Sequence, residues 1–310
     1  MDPLVEIRGC RSRQELQAVV ELCDEAFDDT AREYFERHMF KDGTISREDT
    51  RVLVRGGKIV SSVQVFPRTI YIGKKKVRMG GIGNVATLPS ERKRGYAELV
   101  IRDAMEYMRR KGFQVSLLTT TINGYYKRFG FQTLDRQLVK IDVPPRQDQS
   151  HTEVFDSSRD AAQVMRLYDN YNAASTGPIV RDADYWRSQI GFCGEDAKLF
   201  LVWRDGEEIL GYVRGRKETE STKILEYAFA DGREEIAHAL FADLTFRTER
   251  PKVEVFVSRT EKKRLTFLHS GQFEIDTFFM AALVGGGIDD RTMEVILPQS
   301  DFTFWLTDYF

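Results

Sequence analysis

The run Asn84-Val85-Ala86-Thr87-Leu88-Pro89-Ser90-Glu91-Arg92-Lys93-Arg94-Gly95-Tyr96-Ala97 reads as a strand, a short turn carrying proline, and a basic loop that opens a helix. From Ala97 the apolar residues fall at Val100, Ile101, Ala104, Met105 and Met108, the spacing of one helical face. Lys111-Gly112 supplies a basic last turn and a glycine for the left-handed cap. The start of such a helix presents unpaired backbone N–H groups and the positive end of the helix dipole. Gly95 lets an anion approach the backbone, and Arg92, Lys93 and Arg94 add full charges beside it. The loop is built to cradle a diphosphate.

Working outward, Phe113–Thr120 is a short apolar strand running into Thr121-Ile-Asn123-Gly-Tyr125-Tyr126-Lys-Arg-Phe129-Gly130-Phe131. An Arg-x-x-Gly-x-Ala loop, a helix, a strand and then Asn-x-x-Tyr-x-x-x-Gly-Phe, in this order and spacing, resembles the acyl-CoA core of the GNAT acetyltransferase superfamily. The resemblance implies that Arg92, Lys93, Arg94, Gly95, Tyr96 and Ala97 hold the pyrophosphate of acetyl-CoA. It also implies that backbone groups of Val85 and Thr87 bind the pantetheine arm where two central strands splay. Asn123 belongs to the same motif, and Tyr126 matches the tyrosine that protonates the departing thiolate. Tyr125 would point away on a helix and packs.

The 310 residues are enough for two domains with real cores. A hydrophobic content of 42% and a net charge of −2 describe an ordinary globular chain with no polyelectrolyte character to suggest nucleic acid. Cys10, Cys23 and Cys193 show no metal or redox spacing, so a reduced, cytoplasmic compartment is the natural reading. The start has neither the charged region nor the apolar core of a signal peptide. The longest apolar run, near Phe278–Val284, is too short to span a bilayer. Four scattered histidines offer no metal constellation, and no metal is expected.

In chain order, Leu4–Arg8 reads as a strand and Arg13–Phe27 as an amphipathic helix. Asp28-Asp29-Thr30 reads as a turn and cap before a helix through Tyr34, Phe35 and Met39. Gly56-Gly57 and Gly73–Lys76 mark hairpins between Arg51–Arg55, Lys58–Val65, Arg68–Ile72 and the strands from Val77 to Thr87. Residues Val143–Ser150 read as a linker. The element order then returns: helices at Asp160–Tyr171 and Asp182–Ile190, a hairpin at Asp205-Gly206, strand Thr222–Ala230, helix Arg233–Thr248, strand Lys252–Ser258, helix Thr260–Ser270 and strand Phe273–Val284. The fold class expected is α/β (α+β), with two tandem GNAT-like domains, each a mixed, mostly antiparallel sheet flanked by helices. Residues 1–145 form the catalytic copy, 150–284 a degenerate copy, and 285–310 a tail. The second copy puts Asp231-Gly232-Arg233-Glu234-Glu235 where the first has its basic loop, and acidic residues there repel a diphosphate. At the tyrosine position it has Phe267, with His269 nearby as an ordinary surface or core histidine.

A tandem pair with Gly177-Pro178-Ile179-Val180-Arg181-Asp182 and Tyr185-Trp186 in its second half resembles the Eis (enhanced intracellular survival) group. That group adds a sterol-carrier-like third domain, for which Gly285–Phe310 is too short, and returns its chain end to the first active site as a base. Here the end is Asp301-Phe-Thr-Phe-Trp-Leu-Thr-Asp-Tyr-Phe310 after a glycine run, a strand-like Met293–Leu297 and Pro298. Its six large apolar residues are costly in water at roughly 25 cal/mol per Å² of apolar surface. They dock between the halves, meet a second copy in a homo-oligomer, or deliver the Phe310 carboxylate to the Tyr126 pocket. The last follows only from the resemblance. The chemistry implied is N-acetyl transfer from acetyl-CoA to a primary amine, on a polyamine-like or aminoglycoside-like molecule or a lysine side chain. Tyr126 is the acid, and the base is Phe310 or a carboxylate of the cluster Asp24, Glu25, Asp28 and Asp29. Asp24, Glu25 and Asp28 would also bind the cationic acceptor. An aminoacyl transferase using charged tRNA and a non-catalytic acyl-CoA sensor are the alternatives, and nothing points to nucleic acid or membrane as partner.

Overall fold

The computed structural model describes residues 5–28, 30–148, 150–192, 196–285 and 301–310. Asp29, Cys193, Pro298, most of the glycine run and the strand expected over Met293–Leu297 lie outside them.

The chain opens with β1 (Val5–Gly9), α1 (Arg13–Ala26) and α2 (Arg32–Phe40). The Ser12 hydroxyl caps α1 by accepting from the Glu15 N–H, and Leu16, Val19, Val20, Leu22 and Cys23 form its buried face. The cap of α2 is Ala31 rather than the Asp28–Thr30 turn, with no side-chain bond. A meander follows: β2 (Thr50–Arg55), β3 (Lys58–Ile72) and β4 (Lys75–Thr87). The two strands expected between Lys58 and Ile72 are one. Pro67 falls between the end of the β2 pairing at Gln64 and the next pairing of β3 at Ile70, so no ladder bond is lost on that edge. Then come α3 (Tyr96–Arg110), β5 (Val115–Thr119), the single turn α4 (Asn123–Tyr126) and β6 (Gln132–Asp142).

The second half repeats the plan with β7 (Thr152–Val154), α5 (Ser157–Asn172), β8 (Thr176–Ile179), α6 (Ala183–Phe192), β9 (Phe200–Asp205), β10 (Glu208–Lys217), β11 (Thr222–Phe229), α7 (Glu234–Thr248), β12 (Lys252–Val257), α8 (Arg259–Arg264) and β13 (Gln272–Leu283). The helix expected over Thr260–Ser270 divides into α8 and a 3-10 turn, Thr266–Ser270. The short strands β7 and β8 carry no alternation long enough to read in sequence.

Among the described residues one sheet of 13 strands runs through both halves, in the order β1-β2-β3-β4-β5-β13-β6-β12-β11-β10-β9-β7, with β8 on the far part of β3. Among the described strand pairs only β4–β5 and β11–β12 are parallel. The halves exchange their last strands. β13 enters between β5 and β6, and β6 pairs with β12. The cores record the exchange. Met280, Ala282 and Val284 pack with the first half, while Val139 and Ile141 pack with the second. A third cluster fills the seam with Phe66, Ile70, Met79, Leu117, Leu134, Phe279, Phe302, Phe304 and Phe310.

Candidate active site

Two irregularities of β4 open the sheet. The β3–β4 register passes from Ser62↔Ala86 to Gln64↔Gly83, so Asn84 and Val85 both oppose Val63, a β-bulge. Asn84 takes φ 49 there, a left-handed conformation that asparagine tolerates, and its amide donates to Gln64 Oε1 at 2.6 Å. On the other edge, the parallel pairing with β5 runs only from Met79↔Val115 to Gly81↔Leu117. Beyond Gly81 the two strands part, as β5 follows β13 to Thr119. Val85 and Thr87 lie on that open stretch.

The same stretch leads to the basic loop. Gly95 is the N-cap of α3 at φ 78 and gives it no side-chain cap, and Lys93 is also left-handed at φ 65. The first-turn N–H groups of α3 therefore face outward beside three exposed cations, with Tyr96 and Ala97 half-buried behind them. Arg92 donates to the Ala26 carbonyl at 3.0 Å, tying the loop to the end of α1, and Arg94 lies 3.2 Å from Glu91. Asn123 has another task. Its amide donates to Thr133 Oγ1 and to the Thr277 carbonyl, joining α4 to β6 and to the exchanged strand β13.

Tyr126 is buried in the first core, its ring edge-on to Tyr125 at 5.2 Å and to Phe131 at 6.1 Å. Burial, with a smaller contribution from Tyr125, pushes its phenol up to about 12. Tyr125 is half-buried and packs on Phe129 and under Arg128.

Phe310 comes to β4 from the opposite face. Its ring stacks on Phe66 at 5.1 Å and meets Phe304 edge-on at 5.8 Å. A Cβ on Gly81 would overlap that ring, while one on Gly83 would lie 3.2 Å from the Phe310 carbonyl carbon and 3.3 Å from its oxygen. The Phe310 backbone carbonyl thus sits one residue from the Asn84 bulge.

A cavity of about 1010 Å³ between the halves has Phe310 in its wall, while Tyr126, Asn84, Val85, Thr87 and the basic loop are not among its lining. Its walls include Phe310 and Tyr309, the end of β5 at Thr119–Thr121, and Tyr34, Arg37 and His38 of α2. Arg136, Arg216 and Lys223 also face it, as do Glu274 and Asp276 of β13. Arg136 is spent on Asp276, Nε to Oδ2 at 3.0 Å. Burial drops His38 to about 4, although Asp42 opposes that shift, so the imidazole is neutral at pH 7. The structure does not bring Asp24, Glu25 or Asp28 to this cavity. All three are exposed, and Asp24 pairs with Arg32 at 3.4 Å. The face of α2 lines it instead, which sequence reasoning missed because Tyr34, Arg37 and His38 read as ordinary helix residues.

At the corresponding places the second half carries acidic residues and a phenylalanine. Asp231 and Glu234 hold Arg264, each at 3.2 Å. Phe267 packs against Phe241, and the exposed His269 bonds the Lys262 carbonyl at 2.8 Å. Among the described residues no group of three or more potential metal ligands occurs, and no helix is long and apolar enough to cross a membrane.

Residues 6–134, which carry the bulge, the splay, the loop and Tyr126, match the family model described as an acetyltransferase (GNAT) domain. This stretch is similar to GNAT acetyltransferase domains. No curated protein matches the chain. Solved structures show the same fold over nearly its whole length. A GCN5-related N-acetyltransferase from Kribbella flavida is 17% identical with TM-score 0.72, covering 90% of this chain and 71% of that one. Eis1 from Mycobacterium abscessus is 17% identical with TM-score 0.66, covering 90% and 73%. N-myristoyltransferase from Saccharomyces cerevisiae, solved with bound myristoyl-CoA, is 12% identical with TM-score 0.64, covering 98% and 85%. The chain thus shares its fold with these three proteins.

Proposed function

We propose that the protein transfers the acetyl group of acetyl-CoA to a primary amine, by direct attack in the GNAT-like half. The observation that carries this reading is the placement of the Phe310 backbone carbonyl at Gly83, beside the bulge and the parting of β4 and β5. Acetyl-CoA would lay its diphosphate on the N–H groups of Arg92–Ala97 and its pantetheine along the open edge of β4 at Val85 and Thr87. The thioester then comes to the bulge, whose redirected N–H groups suit the oxyanion of the tetrahedral intermediate. The amine enters through the cavity, and a free carboxylate at Phe310 takes its proton directly or through one water. Collapse of the intermediate breaks the C–S bond. Tyr126, protonated at any physiological pH, gives its proton to the thiolate.

The cavity lining speaks to the acceptor. Arg37, Arg136, Arg216 and Lys223 face it against Glu274 and Asp276. Arg136 is paired with Asp276, Arg216 with Glu218, Lys223 with Glu254 and Glu274 with Lys140. Apart from Phe310 the described walls therefore offer a polycation no unpaired carboxylate, and an aminoglycoside-like or polyamine-like acceptor fits poorly. A singly charged amine, such as a lysine side chain or a small amine with a neutral or acidic body, fits better. The test is thiol release from acetyl-CoA across an amine panel. Turnover confined to mono-amines supports the reading, preference for polycations overturns the acceptor class, and no release with any amine overturns the activity.

A further inference from the structure

Apolar packing alone does not fix the register of a chain end. Phe302, Phe304, Trp305 and Phe310 are all buried, but the force that buries them is non-directional. A slip of one residue would carry the Phe310 carbonyl several Å from Gly83. The polar contacts that set the register come almost wholly from the second half. Thr303 N–H donates to the Thr176 carbonyl at 2.8 Å, Trp305 Nε1 to Asn172 Oδ1 at 3.1 Å, and Gln189 Nε2 to the Thr307 carbonyl at 2.8 Å. Gly177, at φ 111, lets the tail come this close, because a Cβ there would collide with the Thr303 carbonyl.

At the centre stands Arg181. Its Nε and Nη2 donate to Asp308 Oδ1 and Oδ2 at 3.2 and 2.8 Å, and its Nη1 and Nη2 donate to Glu226 at 3.0 and 2.5 Å. The side chains of Arg181, Glu226 and Asp308 are all 0% exposed. Tyr185 donates to Asp308 at 2.9 Å, and the Thr307 hydroxyl donates to Glu226. Arg214 lies 3.7 Å from Glu226, so two guanidinium groups face two carboxylates. A buried cluster of this kind seldom stabilises a fold more than apolar residues of equal volume would, and its best-attested use is to fix one register.

We propose that Arg181 and Asp308 are positioning residues. The clamp fixes Asp308, and through the 3-10 turn Leu306–Asp308 it holds the Phe310 carboxylate at the bulge of the first half. The proposal rests on the reading of Phe310 as base. It gives the second half a catalytic task, although that half has neither a diphosphate cradle nor the tyrosine.

The test is Asp308→Asn in the full chain, read by steady-state kinetics and by the rate at which carboxypeptidase A releases Phe310. The expected result is a fall in kcat of about 10–100-fold, the scale of a displaced reacting group, with KM for acetyl-CoA unchanged and faster release of Phe310. A tail as protected as in the wild type overturns the clamp, whatever the turnover. A KM for acetyl-CoA that rises in step with the fall in kcat marks general loosening and also overturns it. A released tail with wild-type kcat overturns the base reading instead, and the positioning role with it. Should Asp308→Asn fail to fold, Thr307→Val removes the hydroxyl that donates to Glu226 and accepts from Arg181 Nη2 at 3.0 Å. It is read the same way, with a smaller effect in the same direction.

Discussion

Phe310 lies against Phe66 with ring centroids 5.1 Å apart and planes inclined by 24°. That stack joins the end of the chain to β3, the strand that carries the partner of the Asn84 bulge. The ring occupies the space a side chain at position 81 would need, so Gly81 and Phe310 are one fit.

Gly81→Ala should therefore disturb the chain end without touching the diphosphate loop. Phe310 is held between Phe66, Phe304 and β4 and has little room to retreat. Turnover should fall by about 10-fold or more, with acetyl-CoA affinity within a factor of two. Steady-state kinetics alongside calorimetry checks this, and unchanged turnover would separate the ring from the reaction.

Tyr126→Phe keeps the packing against Tyr125 and Phe131 and removes only the proton. Turnover should fall by roughly 10²–10⁴-fold, the usual span for a positioned acid or base, while acetyl-CoA binding stays. Because the phenol titrates near 12, it is protonated throughout the range below that value. Its loss of a proton should add no alkaline limb to the rate profile below about pH 10. Tyr125→Phe, on the half-buried neighbour, should be close to silent.

Much of the fold around the candidate site was legible in the sequence. The loop Arg92–Ala97, the helix after it and Tyr126 share one local segment, where spacing and chemistry are read together. The aromatic tail declared by composition alone that it must dock. What stayed hidden depends on contacts between distant residues. The insertion of β13 between β5 and β6 leaves no local mark, since Gln272–Leu283 reads as a strand wherever it pairs. The clamp of Arg181, Glu226 and Asp308 joins residues 45 and 127 positions apart, and each looks like a surface charge in sequence. Asp24, Glu25 and Asp28 form an acidic cluster that is exposed and lies outside the cavity.

Replacing Arg92 and Arg94 together by Ala should weaken coenzyme A binding by roughly 1–3 kcal/mol, the scale of charge-assisted hydrogen bonds to phosphate. Both side chains are exposed, so the fold should not suffer. Titration calorimetry should give one site per chain, because Asp231 and Glu234 occupy the matching place in the second half. Two equivalent sites, or no loss in the double variant, would remove the loop from the binding site.

His38 gives the protein an acid-sensitive element. Its folded-state value of about 4 lies below the unperturbed 6.5, so between those values the unfolded chain binds a proton that the folded chain does not. Stability is then lost as pH falls from about 6.5 toward 4, by on the order of 2–3 kcal/mol at the lower end. His38→Phe should flatten that part of the profile. Urea midpoints at pH 7 and pH 4.5 for the two proteins check it, and equal losses in both would assign the acid lability elsewhere.

The central claim is that the Phe310 carboxylate takes the amine proton, and the most direct measurement is the turnover of a protein extended beyond Phe310. A Gly-Ser extension leaves every anchor of the tail in the sequence and moves only the charge. The account predicts a fall in kcat of at least about 10²-fold, the scale for loss of a positioned base, with acetyl-CoA affinity and Tm unchanged and the same loss on amidation of Phe310. An extended protein that turns over at the wild-type rate would contradict it and reduce the tail to packing.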